Sequence, residues 1–263
     1  MSEASAGLTV TVVGSVGTIT LDRPAKRNAV GYDMWVALEA ACHRLAGDPA
    51  VRVVLLLGAG DHFCAGADIT ELLAERASGA PTFMEVNMAA EQALATLPKP
   101  TVAVVQGDCI GGGAALAIDC DLRIAVEGAR FGITPAKLGI VYPPASLERA
   151  VRLIGPAAKR LLFTGDLIDA AEALRIGLVD EVCAPGDVDD RVDALCSTLA
   201  ERSLLTQAAT KEMVAAVLEH GSVPTSLADQ WNRELAASGE MAEGVAAFSE
   251  RRRPDFPWRG RQS

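Results

Sequence analysis

Several things are scarce in this chain, and each scarcity closes a route. Aromatic residues make up only 4% of 263 positions, so a core must be built from Ala, Val, Leu and Ile. Basic residues are outnumbered, 24 Lys and Arg against 34 Asp and Glu, for a net charge of −10. Such a surface does not suit nucleic acid, whose backbone needs a basic face. A small anionic ligand stays open, because it needs only a local basic cluster. Three histidines, His43, His62 and His220, form no metal-ligand pattern with cysteine or carboxylate. The six cysteines (Cys42, Cys64, Cys109, Cys120, Cys183 and Cys196) show no CxxC. They read as small buried hydrophobes in a reducing compartment. No apolar run is long enough to span a bilayer, and residues 1–7 carry no secretion signal, so a cytoplasmic protein is expected.

Half of the residues are hydrophobic, enough for one sizeable core domain with a smaller appendage. β-rich runs at 8–13 and 16–21 flank Gly14-Ser15 and predict a hairpin. Apolar runs at 51–57, 101–105 and 122–126 predict strands buried on both faces. Helical patterns lie between them, at 32–45, 82–96 and from the glycine triplet to Asp119, and Asp68 reads as the N-cap of a short helix reaching Arg76. This alternation predicts an α/β fold with parallel strands. After Ser146 helices dominate: 147–153, 157–163, 169–175, long helices over 188–218 and a last one over 225–253, with one strand at 179–183.

Two glycine-bearing turns stand out. Gln106-Gly107-Asp108-Cys109-Ile110-Gly111-Gly112-Gly113 follows a strand and opens a helix, and Phe63-Cys64-Ala65-Gly66-Ala67-Asp68 lies upstream. Glycine lets a ligand approach the backbone, and the first amides of a helix point outward at the positive end of its dipole. Two such donors converging on one point make an oxyanion hole.

These pieces, in this order, resemble the crotonase (enoyl-CoA hydratase/isomerase) superfamily along nearly the whole chain. The resemblance rests on 19–24 with Asn28-Ala29, on 63–68, on 107–113 followed by 120–125, on Phe131-Gly132 and Leu138-Gly139, on 162–165 and 170–179, and on 247–254. It implies a spiral of ββα units over residues 1–200 and a C-terminal helical trimerisation region over 201–263. It implies a homotrimer or a dimer of trimers. It implies an acyl-coenzyme A thioester as substrate, with coenzyme A part of that substrate and no permanently bound cofactor. By position, the oxyanion donors fall on the backbone amides of Ala67 and Gly112. Lys26 and Arg27 fall beside the pantetheine and phosphates, and Ala65, Asp68 and Ile69 flank the adenine side. Phe248 and Arg251 match residues that reach the ligand from a neighbouring subunit.

Two positions depart from the hydratase pattern. The glutamate two residues after the glycine triplet is Ala115 here, and the glutamate of the Phe-Gly-x-Pro-Glu run falls on Pro135, or on Ala136 if the prolines are aligned. None of these can transfer a proton, so the two-glutamate mechanism is missing. The segment 134–142, ending in Tyr142, resembles methylmalonyl-CoA decarboxylase, in which the matching tyrosine contacts the substrate carboxylate. That enzyme carries a histidine at the Ala67 position and a glutamate at the Ala115 position, both absent here. Two readings follow: an enzyme that decarboxylates a malonyl-type thioester, with slow hydration or isomerisation next, or a catalytically silent acyl-CoA-binding homologue. Other polar residues near these motifs read as follows. Asp108 is a turn residue bonding local backbone or a group facing the acyl pocket; Asp121 is a structural buried or capping carboxylate; Glu148 lies on a solvated face or reaches the pocket rim. Cys64 and Cys109 lack a partnering base. A dinucleotide fingerprint, a P-loop and a serine-hydrolase elbow are all missing.

Overall fold

The computed structural model describes residues 2–74 and 77–261. A seven-stranded sheet forms the spine. Its strands are β1 (Ser2–Ser5), β2 (Leu8–Val13), β3 (Val16–Leu21), β4 (Val53–Gly58), β5 (Thr101–Val105), β7 (Leu122–Val126) and β10 (Glu181–Cys183), in that spatial order. The β2–β3 hairpin turns at Gly14-Ser15 as expected, with Val13 opposite Val16. From β3 to β10 every pairing is parallel. β4 shows why: Val53, Val54, Leu55 and Leu56 are all buried, so neither face of this strand can meet water.

A smaller sheet holds β6 (Asp108–Ile110), β8 (Arg130–Gly132) and β9 (Ile168–Asp169). β5 pairs with β7 while β6 pairs in parallel with β8. An isolated bridge between Cys64 and Cys109 continues the second stack to the preceding coil. Each coil therefore places one strand in the large sheet and a short segment in the small stack, and successive coils lie on one another. This is the spiral of ββα units that the resemblance implies.

Helices fill the coils. α1 (Tyr32–Gly47) buries Met34, Trp35, Leu38, Ala41, Cys42 and Leu45, a helical stripe. α2 (Phe83–Ala95) starts at a capping box, in which Thr82 accepts from the Glu85 amide and Glu85 accepts from the Thr82 amide. α3 (Gly112–Asp119) is almost wholly buried. α4 (Pro144–Ile154), α5 (Ala158–Thr164) and α6 (Ala170–Arg175) follow. On the far face of the sheet α7 (Val188–Glu201) brings Val188, Val192 and Cys196 against Val53, Leu55, Val102 and Ile124. A separate apolar cluster joins α8 (Leu204–His220), α9 (Thr225–Ser238) and the tail through Leu204, Leu205, Ala208, Trp231 and Trp258. α10 (Glu240–Glu250) packs on α9.

Three expectations are corrected. The helical stretch 188–218 breaks between α7 and α8, where Ser203 caps the Thr206 amide. The stretch 225–253 breaks at Gly239, whose φ of 76° is left-handed. The described part of 68–76 is turn rather than helix, because the Asp68 carboxylate is drawn into ion pairs and an Asx-type bond to Thr70 instead of capping. Arg76 lies outside the described residues.

Candidate functional site

The turn before α3 and the turn around Gly66 press against each other. A Cβ placed on Gly66, whose φ is 100°, would stand 2.8 Å from the Ile110 carbonyl oxygen and 3.2 Å from the Gly112 nitrogen. A Cβ on Gly112 would stand 3.3 Å from the Ala67 nitrogen and 3.5 Å from the Trp35 ring. A side chain at Gly113 would collide with the Cys64 carbonyl. Glycine is required here because two main chains share one space.

Both candidate donors are left over after the local bonds are made. The bridge between Val30 and Ala67 uses the residues on either side: Val30 donates to the Gly66 carbonyl (2.8 Å) and Asp68 donates to the Val30 carbonyl (2.9 Å). Ala67 is skipped. Gly111 donates to Gly132, Ala115 donates to Gly111, and Gly112, as the first residue of α3, has no turn before it to bond. Among the described residues neither the Ala67 nor the Gly112 amide donates to the main chain. Trp35 is wholly buried beside them, and its indole Nε1 has no partner.

A buried asparagine holds this geometry. Asn28 adopts φ 58°, accepts from the Arg23 amide, and donates to the carbonyls of Ala59 and His62. It thereby ties the 23–30 loop to the segment before Cys64. Only its place in the sequence motif hinted at this, since nothing in the local pattern demands a left-handed asparagine.

The residues expected at the coenzyme A end lie in one group. Ala65 donates its amide to the Arg27 carbonyl. Lys26 Nζ and Arg23 Nη2 hold the Asp68 carboxylate at 2.7 and 3.1 Å. The Lys26 ammonium, then the Thr70 hydroxyl, keep Asp68 far below the usual carboxylate range. Ile69 is exposed next to it. Arg27 Nη1 reaches Asp108 at 3.1 Å, and Arg130 reaches the other oxygen of the same carboxylate at 2.6 Å. Asp108 thus bonds side chains and not the local backbone. It is wholly buried, and its carboxylate pins two half-exposed guanidinium groups at the surface. Phe248 and Arg251 sit apart, at the end of α10. Among the described residues no hydrogen bond or ion pair joins them to the Asp68 group.

Ala115 and Pro135 are placed as the sequence orders them, on α3 and in the 3₁₀ turn Pro135–Lys137. Tyr142 packs against the main core, and its hydroxyl is buried without a partner. Burial, with Glu91 and Asp119 as negative neighbours, pushes its pKa up. These two carboxyls went unnoticed in the sequence, although each carries a signal. Glu91 lies on the buried stripe of α2 with Phe83, Val86, Ala90 and Leu94, and Asp119 ends the apolar run 114–118. Glu91 accepts from Ser146 (2.6 Å) and Asn87 (3.0 Å). Burial raises the pKa of both carboxyls.

Cys64 and Cys109 are buried thiols, Cys64 pushed up to about 12 by desolvation and Cys109 raised well above its ordinary value. Neither is a nucleophile near neutral pH. Asp121 is structural, as expected: it accepts from the Thr101 amide and hydroxyl and pairs with Lys211. Glu148 pairs with Arg152 on the surface. Among the described residues no three His, Cys, Asp or Glu side chains gather to hold a metal, and no helix is long and apolar enough to cross a membrane. Two surface clefts, of about 280 and 460 Å³, lie away from the paired amides, one at Arg52 and Arg259 and one at Glu39 and Glu85.

Known proteins carry the same arrangement of chain. A Thermus thermophilus protein whose name assigns it provisionally to the enoyl-CoA hydratases is 38% identical over 251 residues, 92% of this chain and 98% of that one. The crotonyl-CoA hydratase of Syntrophomonas wolfei is 33% identical over 92% of this chain and 94% of its own length. A crystal structure of an enoyl-CoA hydratase/isomerase family member superposes with a TM-score of 0.89, at 37% identity and over 97% of each chain. The enoyl-CoA hydratase/isomerase family model matches residues 11–259. With the spiral core and near end-to-end relatives both in hand, the chain is a member of the enoyl-CoA hydratase/isomerase family.

Proposed function

We propose that the protein acts on an acyl-coenzyme A thioester whose carbonyl oxygen lies between the amides of Ala67 and Gly112, and that it releases CO2 from a malonyl-type acyl group. The observation that carries this reading is the pair of unbonded amides on two touching turns. In the reaction the bond from the α carbon to the carboxylate breaks. Its electron pair moves into the enolate, and negative charge grows on the thioester oxygen. Fixed N–H donors stabilise that charge without reorganising, and one such donor is worth about 3 kcal/mol of barrier.

Loss of CO2 needs no base, which fits Ala115 and Pro135 where proton-transferring glutamates would stand. Tyr142 supplies a buried hydroxyl with no protein partner, suited to the substrate carboxylate. Lys26 and Arg27, half-exposed at the mouth of the Asp68 and Asp108 ion pairs, serve the phosphates, with Ala65, Asp68 and Ile69 on the adenine side. The protein works as a homotrimer or a dimer of trimers, and Phe248 and Arg251 meet the ligand across a subunit boundary. Phe248 is 88% exposed in the single chain, which fits a partner's approach. The names of the relatives, crotonyl-CoA hydratase among them, support the thioester and speak for water addition as the reaction to test against.

The test offers methylmalonyl-CoA, ethylmalonyl-CoA and crotonyl-CoA, with product analysis and a binding titration for each. CO2 and the shortened thioester are expected from a malonyl substrate. Turnover of crotonyl-CoA alone would replace decarboxylation by hydration. Tight binding with no product would identify a silent acyl-CoA binder.

A further inference from the structure

The two turns that carry the free amides lean on different supports. Past Cys64 the upstream turn rests on the loop 23–30: Ala65 donates to the Arg27 carbonyl, and Val30 donates to the Gly66 carbonyl. Past Ile110 the second turn rests on β8, where Gly111 donates to the Gly132 carbonyl at 2.8 Å. Among the described residues no main-chain hydrogen bond joins that loop to β8. The Asp108 carboxylate joins them instead. Its Oδ2 accepts from Arg27 Nη1 at 3.1 Å, and its Oδ1 accepts from Arg130 Nε and Nη2 at 3.0 and 2.6 Å. One guanidinium belongs to the loop and the other opens β8. A single carboxylate therefore ties the support of Ala67 to the support of Gly112.

Stability alone explains this arrangement poorly. The Asp108 side chain is 1% exposed, whereas those of Arg27 and Arg130 are 60% and 53% exposed. Water would serve such guanidinium groups nearly as well, and taking a carboxylate out of water is costly. The loop, however, needs holding. Arg27 and Asn28 are adjacent non-glycine residues with φ of 48° and 58°. Such a left-handed pair persists only where its surroundings fix it. The carbonyls of Ala59 and His62 fix Asn28, and Asp108 fixes Arg27. Asp108 is itself set in place: its amide donates to His62 Nδ1 (3.1 Å), and its carbonyl accepts from the Cys64 amide (2.8 Å). We propose that Asp108 is a positioning residue for the oxyanion pair. It sets the Ala67 amide against the Gly112 amide through Arg27 and Arg130, and touches no substrate itself. The assignment rests on the acyl-coenzyme A reading above. Two donors serve one oxygen only while both are aimed at it, and a displacement of ~1 Å is enough to cost about 100-fold in rate.

Propionyl-CoA labelled with 13C at the carbonyl reports the aim directly. It has no carboxylate to lose and no double bond to hydrate, so it stays unchanged on the protein. Hydrogen bonds to a carbonyl lower its stretching frequency, and isotope-edited infrared spectra of the whole protein with bound propionyl-CoA read that shift. Wild type should lower the band relative to free propionyl-CoA. Asp108→Asn and Arg130→Met should each lose at least half of the downshift. Arg130→Met leaves Arg27 on its carboxylate, so it should also lower kcat ~100-fold with KM near that of wild type, on whichever of methylmalonyl-CoA and crotonyl-CoA the wild type converts. If Asp108→Asn does not fold, Arg130→Met carries the test alone. A folded variant that keeps the wild-type downshift overturns the proposal, whatever its melting temperature, and leaves the acyl-coenzyme A reading standing. A wild type that does not bind propionyl-CoA, or binds it with no downshift, removes that reading and this assignment with it.

Discussion

Gly112 opens α3 at the one helical position where proline is ordinarily tolerated, since the amide it removes has no helical partner. Gly112→Pro removes this amide, and its Cβ, 3.3 Å from the Ala67 nitrogen, crowds the second one as well. Turnover should fall by a factor on the order of 10²–10³, while circular dichroism and the thermal transition show a folded chain. Asp119 supports a second test at this scale. The unfolded chain releases the Asp119 proton near its ordinary pKa of 3.8, whereas the folded acid holds it to much higher pH. Above pH ~4 the unfolded state binds fewer protons, so wild type loses stability as pH rises. Asp119→Asn lacks that loss. Its urea midpoint relative to wild type should climb between pH 4 and pH 8, and a constant difference would refute the raised pKa. Not every residue role was legible in advance. Ala67, Gly112 and Tyr142 stood in motifs with marked local chemistry. Glu91 and Asp119 were hidden because one stripe of α2 and the whole of α3 turn inward, and only the packing shows which polar residues are thereby trapped.

Among elements, α1 depends on a lysine outside it. Lys99 is 2% exposed, and its Nζ donates to the carbonyls of Leu45 and Asp48 at 2.6 Å each. A cation at a helix C-terminus answers both the orphan carbonyls and the dipole. Burial lowers the Lys99 pKa from 10.5 to about 8. Between those values the unfolded lysine keeps a proton that the folded one has shed, and stability rises with pH. Wild type should thus gain on Lys99→Met from pH 8 to pH 10 in denaturant titrations, and parallel curves would count against it. Elements with a strong local pattern were legible. β2, β3, β5 and β7 fall where the apolar runs put them, and α2 lies between its Thr82 cap and the prolines at 98 and 100. The short strands β6, β8 and β9 were not, since two or three residues carry no period and their pairing is a product of the stacked coils. Helix breaks at Ser203 and Gly239 were missed for a related reason: helical propensity persists on both sides of each, and only the change of direction marks them.

For the whole molecule, the apolar residues left outside point to assembly. Val214, Val217 and Leu218 on α8 and Met241, Val245 and Phe248 on α10 are all largely exposed. Sedimentation should give three or six times the chain mass of 27.4 kDa. Phe248→Asp should lower that mass and raise KM for the thioester together. A monomeric wild type with full activity would remove the shared-site reading.

The bridge at Val30 has a further consequence. Because parallel pairing engages Gly66 and Asp68 and passes over the residue between them, the free amide at 67 belongs to the backbone register and is indifferent to the side chain attached there. Any L-residue but proline that fits beside Gly112 would present the same hydrogen. On the function proposed above, this fold can therefore change what stands over the thioester at that position, and with it the chemistry performed, while the amide stays where the bridge puts it.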